Sequence, residues 1–418
     1  MNEFFNNSYL TIYFVLYVSL FLLYKKKKGG LWNVDATSFI ILYYGISAFV
    51  SIFYYNASNG VYRDYSKITL FPFLYLFVAV LITLYPIYVY NKKSPVIKLP
   101  NHIQSKFFML LSLVIVLCMI LPFLESLIKI PQALANDSMS NAYEQRLYNS
   151  SSSLEYLSFM GRKFFLILWR LNNVIPILVF VHMIRSGKKK YIIGLCLAIM
   201  TIWIHSMVLG GRSKLVQNGL YVVFCFFVFK DYFTENVRRN IIKYGSLVLS
   251  CAVVAVAAVT ISRFSSMQNS RMGSIWEWVG LYAGEGILNF NAYNWYVTKT
   301  LNGYGTFGLP ISLVTGEKLD VAFFWNLGKI LGIKGNIFYT YVGTFLNDYG
   351  KVGALVVLFV LAKLTILAYK GRIGSSITKL ALICLWGKIL LIGPIFYTYG
   401  SIDDQWNLLV AVVVAYLL

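Results

Sequence analysis

The sequence predicts an all-α, polytopic integral membrane protein, and three observations support this fold class. Of the 418 residues, 58% are hydrophobic and only 13% are charged, whereas a soluble domain averages roughly 25% charged residues. Long apolar runs recur along the whole chain, and Lys and Arg collect in alternate connections between them. So few charges cannot cover a water-facing surface, and we therefore expect most of the chain to lie in a lipid bilayer.

The apolar runs predict the number of membrane crossings. A bilayer core about 30 Å thick needs about 20 apolar residues of helix, with a working range of about 17 to 25. By this measure we predict about eleven transmembrane helices, within a range of about 10 to 14. The predicted spans lie at residues 8–24, 36–55, 68–90, 107–124, 163–184, 191–208, 215–230, 244–262, 353–369, 380–397 and 406–418.

The positions of the cations predict the orientation. Short cytoplasmic loops are enriched in Lys and Arg, and the richest connections here are 25–28, 92–106, 185–190, 230–243 and 370–379. We therefore place these connections in the cytoplasm, the N-terminus outside and the C-terminus inside. The formal net charge of +21 then reflects membrane topology, and it does not require a nucleic-acid partner.

We expect residues 1–418 to form a single membrane domain with two long external connections, 125–162 and 263–351. The second is rich in Gly, Asn, Trp and Tyr, and its apolar pieces are too short or too charged to cross a bilayer. Interfacial or re-entrant helices are expected there, because non-helical backbone at membrane depth survives only where protein or water satisfies it. The spans show no internal repeat, which is a modest argument against a transporter.

The sequence offers no metal, nucleotide or redox motif. The five cysteines lie inside apolar runs, without CxxC or Cys/His spacing. Nothing resembles a DxD motif, a Walker loop or HExxH. We therefore expect no metal and no cofactor.

Four arginines are predicted near the outer face, where the orientation rule depletes cations. Arg170 lies inside the apolar run FFLILWRLNNVIP, although an Arg at a helix centre costs about 2.5–3.5 kcal/mol on insertion scales. Arg212, Arg263 and Arg271 follow at the outer ends of later helices. Arginine forks bind phosphate oxygens bidentately, which predicts a phosphate or diphosphate site. The alternatives are a helix-packing network for Arg170 and snorkelling for the others.

Candidate bases lie at the same predicted face. Asp348 precedes a returning helix, Glu285 lies in YAGEG, and His205 lies in the outer half of its helix. A lone intramembrane His is more often a packed, hydrogen-bonded group, and the adjacent Asp403 and Asp404 are more simply explained as solvated. Aromatic residues make up 17% of the chain, and interfacial belts and sugar-stacking platforms explain them equally well.

Three stretches resemble bacterial O-antigen and capsule polymerases of the Wzy type. The segment GNIFYTYVGTFLNDYGKVGALV (335–356) is similar to the pattern that ends their large external loop, in which an Asn, a Tyr-Thr pair and an Asp-aromatic-Gly precede a helix. GGRSK (210–214) with its preceding helix, and YAGEGILNFNAYNWYV (282–297) leading to GYGTF (303–307), are similar to other stretches. The resemblance covers about half of the chain.

The resemblance implies an inverting glycosyl transfer at the outer face of the bacterial cytoplasmic membrane, in a GT-C-like helical fold. The donor is a glycan on undecaprenyl diphosphate, the acceptor is a lipid-linked repeat unit, and the lipid diphosphate leaves with its charge neutralised by arginines. The implied partners are membrane lipids, a flippase and a chain-length regulator. Asp348 is the first candidate for the general base, with His205 and Glu285 as alternatives. The expected glycan contacts are Tyr282, Asn291, Tyr339 and Asn347.

Three other functions stay open. A flippase or transporter of lipid-linked oligosaccharide would share the arginines, but it needs a polar path to the cytoplasm, and the inner halves of the helices offer little beyond Lys363 and Lys388. An O-antigen ligase uses nearly the same chemistry. A non-catalytic scaffold would leave Arg170 unexplained.

Overall fold

The structure is a computed structural model, and its described part is all-helical. It describes the chain except for residues 1, 29, 31–32, 59–62, 93–101, 135–153, 186–187, 210, 212, 266–274, 318–329, 333–337, 372–375 and 418. The helices are α1 (Asn2–Lys28), α2 (Ala36–Ser58), α3 (Leu70–Lys92), α4 (His102–Leu134), α5 (Phe159–Leu171), α6 (Ile175–Ile184), α7 (Lys189–Val208), α8 (Ser213–Phe229), α9 (Glu235–Ser265), α10 (Ile275–Ala283), α11 (Glu285–Ala292), α12 (Tyr304–Thr315), α13 (Tyr341–Lys370), α14 (Ser376–Ile392) and α15 (Ile402–Leu417).

Several of these helices are long and apolar enough to cross a membrane. By length and composition, six qualify within the described residues: α1, α2, α3, α4, α7 and α13. The pair α5 and α6 qualifies as a seventh if it counts as one span, with a bend of 69° at its break. The prediction of an α-helical polytopic membrane protein is therefore confirmed at this coarse level.

The predicted count of eleven spans is not confirmed. Helices occur at all the predicted positions, but α8, α14 and α15 have only 17, 17 and 16 residues, fewer than the about 20 that a bilayer core needs. The predicted span 163–184 is divided between α5 and α6. The long helix α9 begins with the charged stretch ENVRRNIIK, and many side chains of its apolar half lie outside the described residues.

The chain divides into two compact units. Unit 1 consists of Met1–Pro95, Arg271–Ile373 and Leu385–Leu408. In it α1 packs on α2, α3 packs on α13, and α2 also contacts the short helices α10 and α11. Unit 2 consists of Val96–Ser270, Gly374–Cys384 and Leu409–Leu418. In it α4 packs on α5 and α7, and α6 packs on α7 and α8.

The two predicted external connections are partly helical. In 125–162, α4 continues to Leu134 and α5 begins at Phe159, with residues 135–153 between them outside the described part. The stretch 263–351 contains α10, α11, α12 and the first turns of α13. The single membrane domain and the sidedness of these connections stay predictions.

Candidate functional site

Asp348 lies at the end of a short helical segment that the local sequence defines at both ends. The Thr340 hydroxyl accepts a hydrogen bond from the Gly343 N–H (3.2 Å) and caps the start of α13. Gly350 has a φ of 69° and interrupts the helix, a backbone conformation that favours glycine. The Asp-Tyr-Gly sequence therefore ends the first turns of α13 directly after Asp348.

The Asp348 carboxylate packs against the beginning of α12. Its Oδ1 accepts a hydrogen bond from the Gly305 N–H (3.0 Å), and the side chain is buried. Oδ2 forms no hydrogen bond with any described residue, although Thr306 is near enough to stabilise the charge. A Cβ at Gly305 would lie 3.0 and 3.2 Å from the two carboxylate oxygens. Only a glycine therefore leaves this carboxylate undisturbed.

Hydroxyl groups surround the same carboxylate. The Thr306 and Tyr349 hydroxyls are hydrogen-bonded to each other at 2.8 Å. Gly303, with a φ of 93°, lets the start of α12 approach Tyr349, whose hydroxyl would lie 2.9 Å from a Cβ there. Asp348 is thus a buried acceptor in a polar, hydroxyl-lined part of unit 1.

Glu285 begins α11 and is held by a cation that the sequence analysis did not single out. Its Oε1 lies 3.1 Å from Nε of Arg63, and the side chains are 2% and 25% exposed, respectively. Burial raises the pKa of the Glu285 carboxyl, while Arg63 and Asn289 act in the opposite direction. This ion pair connects two segments that are 222 positions apart in sequence.

Two asparagines of α11 connect it to neighbouring backbone. Asn291 is fully buried; its Nδ2 donates to the Thr69 carbonyl (2.7 Å) and its Oδ1 accepts from the Thr69 N–H (3.0 Å). Asn289 accepts from the Tyr65 hydroxyl (3.1 Å) and donates to the Phe338 carbonyl (3.0 Å). These bonds give both amides a structural role, and the predicted glycan contact at Asn291 stays untested.

The other predicted glycan contacts lie in the same unit. Tyr282 is half-buried and stacks obliquely on Phe338 with ring centroids 5.3 Å apart. Tyr339 is half-buried near the Glu285–Arg63 pair, and burial raises the pKa of its phenol. Asn347 is buried and its Oδ1 accepts from the Asn294 amide (3.0 Å). Unit 1 thus contains Asp348, Glu285 and all four predicted glycan contacts.

Arg170 lies in unit 2, in the last turn of α5, and is half-buried. It directly precedes the break between α5 and α6, where Asn172 and Asn173 are buried. Asn172 donates to the Asn218 amide oxygen (3.3 Å), and the Tyr221 hydroxyl donates to the Asn173 carbonyl (3.0 Å). Helix α8 therefore supplies partners for the backbone and side chains that the break exposes.

His205 also lies in unit 2. It is a packed, hydrogen-bonded group, as is usual for a lone histidine in an apolar helix. It is buried, its ring centroid lies 4.0 Å from that of Phe165, and its Nδ1 is 2.5 Å from the Tyr156 hydroxyl. That hydroxyl also contacts the Ser126 hydroxyl (3.0 Å), and burial raises the pKa of Tyr156 to about 12. Tyr156 shields His205 from direct contact with a ligand on that side.

The remaining predicted site residues are not placed. Arg212 and Arg271 lie outside the described residues, and so does the side chain of Arg263. Within the part of the chain that the structure describes, no group of three or more His, Cys, Asp or Glu side chains could hold a metal ion.

Comparisons with known proteins returned no match, whether with protein-family models, with curated proteins or with solved structures.

Three residues of these clusters were missed by the sequence analysis. Arg63 carried a signal, because it is a cation in a predicted external connection where cations are depleted. Tyr156 and Gln405 carried none: a tyrosine after a Ser-rich stretch and a polar residue in a first helical turn are both ordinary. Their importance depends on long-range contacts, namely Tyr156 with His205 and Gln405 with α12.

Proposed function

We propose that this protein polymerises oligosaccharide repeat units carried on undecaprenyl diphosphate into a surface polysaccharide, O-antigen or capsule. The reaction is an inverting glycosyl transfer at the outer face of the bacterial cytoplasmic membrane. The proposal includes the finer topology predicted from the sequence, with about eleven spans, a GT-C-like arrangement, an external N-terminus and a cytoplasmic C-terminus.

The observation that carries the proposal is the Asp348 carboxylate. It is buried near the Thr306 and Tyr349 hydroxyls, one oxygen is fixed by the Gly305 N–H, and the other oxygen forms no hydrogen bond to the described chain. A carboxylate that is oriented through one oxygen and has an unused acceptor on the other has the form of a general base.

The proposed chemistry uses Asp348 as the proton acceptor. The acceptor hydroxyl forms a bond to the anomeric carbon of the donor glycan, and its proton passes to Oδ2 of Asp348. The bond between the anomeric carbon and the diphosphate oxygen breaks, and the lipid diphosphate leaves with the electron pair. The charge of the leaving diphosphate is neutralised by arginine, for which the sequence offers Arg170, Arg212, Arg263 and Arg271 as candidates.

The test is a gel of surface polysaccharide from a gene-deletion strain. Complementation with wild type should restore a ladder of polymer lengths, whereas Asp348→Asn and Arg170→Ala should each leave a single repeat unit. Asp403→Asn serves as the control, because Asp403 is an exposed carboxylate of α15, and it should restore the full ladder. A normal ladder from Asp348→Asn at wild-type protein levels would refute the proposed base.

A second candidate function is transport of the lipid-linked oligosaccharide. The break between α5 and α6 favours it, since interrupted helices at membrane depth form the substrate sites of many transporters. Retention of the repeat unit in the inner leaflet of the deletion strain would support this alternative, whereas accumulation of single repeat units outside would support the polymerase. An intact repeat unit that fails only to reach its final acceptor would indicate a ligase.

A further inference from the structure

Two side chains hold the N-terminal half of α12 from one side. Asp348 accepts from the Gly305 N–H, and Gln405 accepts through Oε1 from the Leu309 N–H (2.7 Å). The two N–H groups are four residues apart, on either side of the backbone interruption at Phe307. Both side chains belong to unit 1.

The shape of α12 explains why Leu309 needs an external partner. Phe307 has non-helical backbone angles (φ −127°, ψ 35°), so the helix restarts after it and its new first turn has unsatisfied N–H groups. Pro310 follows directly and has no N–H. The Leu309 N–H is therefore one of the few available donors of this turn, and Gln405 caps it.

Each of the two capping side chains has one polar atom without a hydrogen-bond partner in the described chain. Asp348 Oδ2 and Gln405 Nε2 are buried and form no hydrogen bond to the described residues, and the side chains are 1% and 6% exposed. A buried polar group without a hydrogen bond is destabilising, and more so when it is charged. Two such atoms beside the same helix therefore indicate a ligand group that completes them.

The chemistry of the two atoms selects the ligand. Oδ2 of Asp348 accepts a hydrogen bond, and Nε2 of Gln405 donates one. A sugar can satisfy both atoms, because it carries several hydroxyl groups and each of them donates one hydrogen bond and accepts others. Phosphate is disfavoured, because the Asp348 carboxylate would repel it. A metal cation is disfavoured, because the amide donor would repel it in turn.

Helix α12 covers these atoms and has the features of a movable element. Gly303 and Gly316 flank it with φ values of 93° and 74°, and such glycines are permissive for backbone rotation. Its far end is solvent- or lipid-facing, since Leu313 and Val314 are 64% and 87% exposed. Displacement of α12 would release the hydrogen bonds of Gly305 and Leu309 and expose Asp348 and Gln405.

We propose that Gln405 and Asp348 form a sugar-hydroxyl subsite beneath α12, with Gln405 as a binding residue that orients the hydroxyl towards the Asp348 carboxylate. The subsite rests on the proposed function in that its ligand is the acceptor sugar. The matched donor and acceptor atoms are its independent support.

The test uses the full-length protein in lipid nanodiscs and free hexoses as probes, namely glucose, galactose, mannose and rhamnose. Binding is measured by saturation-transfer NMR of the sugar. Gln405→Glu keeps an oxygen for the Leu309 N–H but replaces the Nε2 donor with an acceptor, so the cap survives and the subsite does not. We expect wild type to bind at least one hexose, and Gln405→Glu to bind it at least about tenfold more weakly. A buried carboxylate also costs stability, so binding is compared at a temperature at which both proteins are folded.

A second variant and a second measurement separate the loss of sugar binding from the loss of the helix cap. Gln405→Met removes the cap and the donor without adding charge, and it should lose both sugar binding and thermal stability. Hydrogen exchange of residues 304–315 should slow when sugar binds wild type, because α12 closes over the ligand. Equal sugar binding by wild type and Gln405→Glu, or no binding by wild type, would overturn the subsite and indicate that buried water completes the two atoms.

The failure of the subsite is distinguishable from the failure of the proposed function. A deletion strain that still produces the polysaccharide ladder overturns the polymerase, whatever the sugar-binding result. A deletion strain that loses the ladder and is fully restored by Gln405→Glu overturns the subsite alone.

Discussion

At the scale of single residues, the buried polar groups of unit 1 differ in whether the described chain satisfies their hydrogen bonds. Asn291 uses its amide to bind the backbone of Thr69, Asn289 binds the Tyr65 hydroxyl and the Phe338 carbonyl, and Glu285 is paired with Arg63. Asp348 instead has a buried oxygen without a hydrogen bond to the described chain. Of these two buried carboxylates, the one at 285 thus has a structural partner and the one at 348 has an unused acceptor atom.

The ion pair at Glu285 predicts a pH dependence of stability. Burial raises the pKa of Glu285 above its ordinary value of 4.5, so the folded protein binds this proton more tightly than the unfolded chain does. Its contribution to the free energy of unfolding is therefore full below pH 4.5 and declines as the pH rises through the folded-state pKa. We therefore expect wild type to lose stability relative to Glu285→Gln as the pH rises from 4.5 through the folded-state pKa of Glu285.

The measurement is thermal unfolding of both proteins in nanodiscs from pH 4.5 to neutral. Glu235→Gln, at a position that is 68% exposed, controls for the loss of one carboxylate from the protein. If wild type instead gained thermal stability relative to Glu285→Gln with rising pH, the effect of Arg63 on the pKa of Glu285 would be larger than the effect of burial.

At the scale of elements, α12 and α13 depend on close approach of backbone to side chain. Gly305→Ala would insert a Cβ about 3.0 Å from the Asp348 carboxylate, and we expect it to destabilise the protein by about 1–3 kcal/mol and to abolish polymer. Gly245→Ala in α9 is the matched control, since nothing lies within 4 Å of a Cβ there. It should be neutral or stabilise by up to about 1 kcal/mol.

Thermal unfolding and the polysaccharide ladder check both glycine variants. A stable, active Gly305→Ala protein would show that α12 has room to shift away from α13, against the packing described here.

The sequence predicted the helices well because apolar runs alone mark them. The Asp-Tyr-Gly sequence entered only as part of a resemblance, and the interruption of α13 at Gly350, where φ is positive, was not predicted. The break between α5 and α6 was missed, because Asn172 and Asn173 fit a continuous apolar span by composition. Their buried partners, Asn218 and Tyr221, come from another helix and leave no trace in the local pattern.

At the scale of the whole molecule, the distribution of site residues between two units was beyond sequence reasoning. Arg170, His205 and Asp348 share a predicted depth in the membrane. The structure assigns Arg170 and His205 to unit 2 and Asp348 to unit 1, because chain segments distant in sequence pack together. Depth along a bilayer normal can be inferred from a sequence, whereas neighbours in the plane cannot.

The predicted orientation is testable with single cysteines in a chain whose five natural cysteines are replaced. Lys27 and Thr298 are both exposed, and they belong to a predicted cytoplasmic and a predicted external connection, respectively. An impermeant maleimide should label Thr298→Cys on intact cells, and Lys27→Cys only after permeabilisation. The reverse pattern would invert the topology and place the Asp348 cluster on the cytoplasmic side.

The bend between α5 and α6 also bears on the thickness of the surrounding bilayer. Helices of 13 and 10 residues have lengths of about 20 and 15 Å, and at a bend of 69° they reach only about 28 Å from end to end, apart from the turn between them. The hydrocarbon core measures about 30 Å, so this bent pair can cross it only if its end-to-end direction lies close to the bilayer normal. A stronger tilt would create a hydrophobic mismatch, which thins the adjoining lipid.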